Sequence, residues 1–73
     1  MNDLEDIETI IKRQAIKLIK DESIIYIEQI IKEILSIVKM DIVINRIINP
    51  EYEIDISQID ELITMQYILQ QSN

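Results

Sequence analysis

The stretch SIIYIEQIIKEILSIVKM, residues 23–40, decides the fold. Indexed at about 100° per residue, as an α-helix turns, its apolar side chains fall on one broad side and most of its polar side chains on the other. The apolar set is Ile24, Ile27, Ile30, Ile31, Ile34, Leu35, Ile37 and Val38. A stripe this wide exceeds the seam of a two-stranded coiled coil, so it predicts a helix that touches two or more neighbours. Ser23 is the predicted N-cap, because its hydroxyl can accept from a free amide of the first turn.

The preceding residues, 3–20, carry an apolar stripe of their own and predict a first helix. The stripe consists of Leu4, Ile7, Ile11, Ala15 and Leu18, with Ile10 and Ile19 beside it. On one continuous helix the two stripes would point about half a turn apart. We therefore predict a bend over Lys20–Ser23 that turns both stripes toward one core. The alternative is an unbroken rod whose opposed stripes are both covered inside a dimer.

After Met40 the apolar pattern changes phase, since Asp41 occupies a place where the stripe would continue. One prediction is a further helix, capped by Asp41 and stopped at Asn49–Pro50, because Asn tolerates the left-handed conformation and Pro cannot extend a helix. Its apolar face would consist of Val43, Ile44, Ile47 and Ile48. The alternative is a β-hairpin over residues 42–56. Its second strand is suggested by a period-two alternation of Tyr52, Ile54 and Ile56 with Glu53 and Asp55.

The last predicted helix covers residues 57–71, with Ser57 as its cap. Its stripe consists of Ile56, Ile59, Leu62, Ile63 and Tyr67. Three further apolar residues, Met65, Ile68 and Leu69, lie off that stripe and predict a surface for contact with a second chain. The chain as a whole, residues 1–73, is therefore predicted to be a single all-α domain of three or four helices. It would be α+β if the hairpin formed instead.

The composition predicts that this bundle is oligomeric. The chain has 73 residues, of which 21 are isoleucine, and it has no cysteine for a disulfide. A domain of this size can bury only a limited core, so a lone monomer is expected to be marginally stable. Self-association or a partner is the natural source of the missing stability. The sequence has many Ile residues, no Gly and a single Ala. Because codons for Ile and Asn are AT-rich while those for Gly and Ala are GC-rich, this composition also indicates an AT-rich microbial or phage genome.

The residue types present argue against an enzyme and against a cofactor. The sequence has no His or Cys to act as a general base or nucleophile, and no Gly for a phosphate-binding loop. Glu51, Glu53 and Asp55 alternate and could approach a cation, but calcium loops need more oxygen ligands and usually a Gly turn. These three acids are therefore interpreted as a solvated acidic loop, and no metal site is predicted.

The function predicted from these features is a non-enzymatic protein-binding regulator, inhibitor or small complex subunit that acts through Ile-rich helical faces. Residues 49–73 contain five acids and no base, so this third of the chain carries −5 of the net charge of −7. An acidic surface attracts basic proteins, including those that bind nucleic acid. The alternative is therefore an acidic mimic of nucleic acid, as a phage inhibitor or an antitoxin segment would be. The predicted partner-binding residues are Glu51, Tyr52, Glu53, Asp55, Asp60, Glu61, Met65 and Ile68.

A second alternative is a small DNA-binding regulator that uses the bases of the first helix. These bases are Lys12, Arg13, Lys17 and Lys20. Direct nucleic-acid binding is not expected, because the chain is net acidic and no aromatic residue stands among those bases. The start MNDLEDIE has no basic region of the kind that begins a signal peptide, and no apolar run is long enough to span a membrane. A cytoplasmic location is therefore expected.

Overall fold

A computed structural model describes residues 4–71 and shows three helices. They are α1, Leu4–Leu18; α2, Ile24–Ile48; and α3, Ile56–Gln71. Each helix packs against both of the others. The described range contains no strand, so the all-α bundle is confirmed and the hairpin over residues 42–56 is wrong. That segment holds the end of α2 and a loop instead.

The connection between α1 and α2 is a short bend, as predicted. The Glu22 N–H donates to the Ile19 carbonyl (3.1 Å), and the Tyr26 N–H donates to the Ser23 hydroxyl (3.3 Å). Ser23 has the extended backbone of an N-cap, with φ −66° and ψ 153°. No residue in the described range has a positive φ, so this reversal is made without any position that favours glycine.

The buried residues of α1 and α2 follow rows spaced mainly by four. In α1 the row is Ile7, Ile11 and Ala15, and Ile19 continues it just after the helix ends; in α2 the row is Ile27, Ile30, Ile34, Val38 and Ile42. Rows of this spacing form the ridges by which helices pack into one another's grooves. The predicted stripes were therefore too broad. Leu18, Ile24 and Ile37 were assigned to them but are exposed, because they lie beside these ridges.

The prediction of a new helix capped by Asp41 is wrong, because α2 continues without interruption to Ile48. Ile42 extends the buried row of α2 by one more step. The apolar residues after Met40, where the periodicity of the sequence shifts, lie outside the core and do not form a second core face. They are Val43, Ile44, Ile47 and Ile48, and all four are exposed.

The helix does stop at Asn49–Pro50, as predicted, though by a different geometry. Asn49 has φ −131°, which is extended and not left-handed, and its N–H donates to the Asn45 carbonyl (2.9 Å). The ring of Pro50 then prevents the helix from continuing. Ile54, in the loop that follows, is buried in the core, which anchors this connection.

The start of α3 is capped by Asp55 and Gln58, and the predicted Ser57 cap is wrong. The Asp55 carbonyl accepts from the N–H groups of Gln58 and Ile59 (3.1 and 3.2 Å). The Gln58 side-chain oxygen accepts from the Asp55 N–H (3.0 Å). This return bond is half of a capping box, and it places the first helical residue one position earlier than predicted. Ile56 is consequently exposed, while Ile59 and Ile63 carry the core contact.

Candidate partner-binding surface

A groove of about 210 Å³ runs between α2 and α3 and brings acidic and apolar groups together. It is lined by Ile37, Asp41, Ile54, Gln58, Glu61, Leu62 and Met65. Four of these residues are apolar, and the two ionisable ones are both acids. A partner segment that combines apolar side chains with a basic one would match this lining in both respects.

Asp41 is the centre of a clasp that ties the loop after α2 back onto that helix. The Tyr52 hydroxyl donates to one Asp41 carboxylate oxygen (2.7 Å), and the Asn45 amide donates to the other (3.1 Å). The Arg46 Nε donates to the Tyr52 carbonyl (3.0 Å). These bonds fix the loop beside the groove. The bond to Asp41, followed by desolvation of the phenol, raises the pKa of Tyr52 above its usual 10.0.

The eight predicted partner-binding residues fall in several places. Glu61 and Met65 line the α2–α3 groove, and Tyr52 binds Asp41, which lines it too. The other five do not line the groove: they are Glu51, Glu53, Asp55, Asp60 and Ile68. Asp60 is turned toward α1, where it accepts from the Gln14 amide (2.7 Å). Sequence reasoning missed Asp41 itself, although its spacing of four from Asn45 on a helix was a signal for their pairing.

The tyrosines at the other end of the molecule hold the bundle together. Tyr26 is half-buried against the core. Its ring meets that of Tyr67 edge to face, with centroids 6.0 Å apart. The Tyr67 hydroxyl donates to the Glu22 carboxylate (2.8 Å), which links the end of α3 to the α1–α2 bend. This hydrogen bond is the main reason why the pKa of Tyr67 is raised above 10.0.

A second groove, of about 350 Å³, lies between α1 and α2 and is balanced in charge. Its lining consists of Ile25, Ile31, Leu35 and Gln29 with two acids, Glu8 and Glu28, and two bases, Lys12 and Lys32. Lys12 and Glu8 form an ion pair across one helical turn (3.5 Å). Because this pair is exposed, it contributes little to stability. Because its charges cancel, this groove discriminates between partners of different charge less well than the α2–α3 groove does.

The largest surface feature is an excess of exposed apolar side chains. Within the described part of the chain, fourteen large apolar residues are at least 41% exposed. The prediction that Met65, Ile68 and Leu69 lie outside the core is confirmed. The run at the end of α2 was not predicted. This exposed run arises because α2 has 25 residues, whereas α1 has 15 and α3 has 16. The α2 helix is therefore longer by about 14 Å and extends beyond its neighbours.

Comparison with protein-family models, with curated proteins and with solved structures gives no match to this chain. The grooves and the exposed apolar surface are therefore what bears on function. Across residues 4–71, no helix combines the length and the apolar character that crossing a membrane requires. Over the same range, no three acidic side chains converge as a metal site would need.

Proposed function

We propose that this protein is a non-enzymatic interaction protein, acting as a regulator, an inhibitor or a small subunit of a complex. The single observation that supports this proposal is the set of fourteen exposed large apolar residues on such a small bundle. Isolated exposed apolar residues are ordinary, but contiguous apolar surface on a small protein usually marks a contact site. Covering each of these side chains contributes up to about 1.5–3 kcal/mol, so a few of them suffice to hold a partner.

The α2–α3 groove is the proposed site for the partner protein. Leu62 and Met65 offer apolar contact, and Met in particular adapts to partners of different shape. Asp41 and Glu61 add negative charge to the same lining. The occupant that fits is an amphipathic helix with basic residues beside its apolar stripe, since such a helix places anchors on one face of a groove. A protein that binds nucleic acid is one source of a segment with this chemistry.

We propose no enzymatic activity and no cofactor, because of the residue types present. The chain has no His and no Cys, and the ionisable groups of the groove are carboxylates. These groups bind basic side chains readily without any reaction. The proposed location is the cytoplasm, where a basic partner of this kind would be met, and we also propose that the protein associates with itself.

A titration with designed helical peptides tests the proposal. A labelled amphipathic peptide of Leu and Lys is expected to bind with a saturable change in fluorescence anisotropy. A peptide of Leu and Glu with the same pattern is expected to bind at least about tenfold more weakly, because like charges oppose each other in the groove. Equal binding of both peptides, or binding of neither, contradicts the proposed site.

Two matched variants distinguish the groove from general acidity. Glu61→Lys reverses a charge in the groove, whereas Glu51→Lys reverses one in the exposed loop. Each changes the net charge from −7 to −5, so any long-range attraction falls equally in the two. Weaker binding of the Leu/Lys peptide by Glu61→Lys alone supports the groove.

The acidic-mimic function remains the alternative, and the distribution of charge favours it. Residues 49–73 have no base, and four of their five acids are exposed. If the acidic surface as a whole binds a basic protein, Glu51→Lys will weaken binding as much as Glu61→Lys does. Neutralising all five acids would then abolish binding while the helices stay intact. The five are Glu51, Glu53, Asp55, Asp60 and Glu61.

A further inference from the structure

The second half of α2 carries a continuous apolar strip on the side away from the core. We call it the α2 strip; it consists of Ile37, Met40, Val43, Ile44, Ile47 and Ile48, which are 41–86% exposed. The residue pattern, area and charge of the strip bear on what covers it. The inference below rests on the proposed function in one respect: both treat exposed apolar side chains as a contact surface.

The spacing of the α2 strip is that of a helix–helix seam. Ile37, Met40, Ile44 and Ile47 follow one another at intervals of three, four and three residues. These are the intervals of the a and d positions of a heptad, whose side chains insert between those of a facing helix. The core row of α2 instead repeats mainly every four residues and already faces α1 and α3. The strip is therefore a second packing face on the same helix.

The area of the strip matches what a dimer needs. Its six partly exposed side chains present on the order of 500 Å² of apolar surface per molecule. A standard interface buries about 800 Å² per partner, and in homodimers about 65% of it is apolar. The apolar share of such an interface is thus about 500 Å², which the strip provides without rearrangement.

The charge around the strip favours a second copy of the chain over a basic partner. Residues 33–50 contain Lys39 and Arg46 against two acids, Glu33 and Asp41, so their net charge is zero. The remainder of the chain carries the whole net charge of −7. Two copies that meet at the α2 strip therefore bring no net like charge together there. A basic partner is attracted elsewhere, toward the acidic C-terminal third.

We propose that the α2 strip is the contact surface of a homodimer in which the α2 helices of two copies pack antiparallel about a two-fold axis. In this arrangement Met40 of each copy faces Ile44 of the other, and Ile37 faces Ile47. The antiparallel direction follows from Glu33, an exposed acid one turn before Ile37 on the same side of the helix. A parallel pair would place two Glu33 carboxylates opposite each other in the seam. In the antiparallel pair each Glu33 lies beyond the end of the other helix.

Sedimentation velocity at about 100 µM, well above a micromolar dissociation constant, tests the dimer. The wild-type protein is expected to sediment as a dimer. Ile47→Glu, at a position 79% exposed in the single chain, is expected to raise the dissociation constant at least about tenfold and to keep its helical circular dichroism. Ile25→Glu is the matched control, on the same helix and 72% exposed, and it is expected to remain dimeric. A monomeric wild type, or dimers unaffected by Ile47→Glu, would overturn the inference.

Cysteine cross-linking tests the direction of packing, and the absence of native cysteine makes single substitutions clean. An antiparallel seam predicts that an equimolar mixture of Met40→Cys and Ile44→Cys forms the mixed disulfide several-fold faster than Ile44→Cys forms one with itself. A disulfide needs Cα atoms about 4.4–6.8 Å apart, which opposed seam positions approach. Faster self-cross-linking of Ile44→Cys would reject the antiparallel arrangement. A monomeric protein that still binds the Leu/Lys peptide would reject the dimer alone and leave the proposed function in place.

Discussion

The Tyr52 hydroxyl donates a 2.7 Å hydrogen bond to the carboxylate of Asp41, eleven residues earlier in the chain. This bond joins the loop after α2 to the interior of that helix and fixes one wall of the α2–α3 groove, which Asp41 lines. A hydrogen bond to a charged group is stronger than one between neutral groups. The groove is thus held by a specific polar contact as well as by apolar packing.

The interaction between Tyr52 and Asp41 should be measurable as a coupling between their effects on the free energy of unfolding. Tyr52→Phe removes the hydroxyl and should lower the free energy of unfolding by about 1–2 kcal/mol in urea denaturation, because the acceptor is charged and the site is partly open to water. Asp41→Ala should lower it by a similar amount. In the double variant the two losses should not add, since both remove the same bond. Fully additive losses would mean that the two side chains do not interact.

Stability should fall at alkaline pH through both bonded tyrosines. The pKa values of Tyr52 and Tyr67 are raised in the folded protein, because Asp41 and Glu22 accept hydrogen bonds from the neutral phenols. Their contribution is fully present below the unfolded value of 10.0 and is lost as pH rises through the folded values. Ultraviolet titration of tyrosinate should show two late-titrating groups. Tyr52→Phe should remove one of them and make the alkaline loss of stability smaller; an unchanged curve would contradict the assignment.

The core row of α2 should be far more sensitive than its outer surface. Ile34 is fully buried, so Ile34→Val should cost about 0.5–1.5 kcal/mol of unfolding free energy by removing one methylene group from a packed core. Ile25→Val, the same change at an exposed position of the same helix, should stay within about 0.5 kcal/mol. Thermal denaturation of the two variants gives the comparison. Equal losses would mean that Ile25 is covered in the folded protein.

Two serine substitutions distinguish a helix cap from a first-turn residue. Ser23→Ala removes the acceptor of the Tyr26 N–H and should cost about 1 kcal/mol of unfolding free energy. Ser57→Ala should change stability by less than about 0.5 kcal/mol, because Asp55 and Gln58 cap α3 instead. Chemical denaturation of both variants, with circular dichroism as the probe, measures the difference. A larger loss for Ser57→Ala would restore Ser57 as the cap.

Local patterns were sufficient to predict much of the fold. The all-α class, the bend before Ser23 and the Ser23 cap follow from periodicity and from cap chemistry, which depend on neighbours within one or two turns. The exposure of Met65, Ile68 and Leu69 followed from the same periodicity. These features require no knowledge of what packs against each helix.

The remaining features depend on contacts between distant parts of the chain. Asp41 resembled a helix cap because it interrupts an apolar run, but Tyr52 supplies a partner that makes it acceptable inside a helix. The burial of Tyr26 depends on the ring of Tyr67, 41 positions away. The α2–α3 groove was only half predicted for the same reason: Glu61 and Met65 lie on α3, while Ile37 and Asp41 reach them from α2.

The most direct test of the central claim is calorimetric titration of the Leu/Lys peptide into the wild-type protein at several temperatures. We expect one saturable site with a negative heat-capacity change, which is the mark of apolar surface buried on binding. We also expect Glu61→Lys to weaken this binding and Glu51→Lys to leave it nearly unchanged. A heat-capacity change near zero, or equal weakening by the two variants, would contradict the claim that an apolar groove with acidic walls binds the partner.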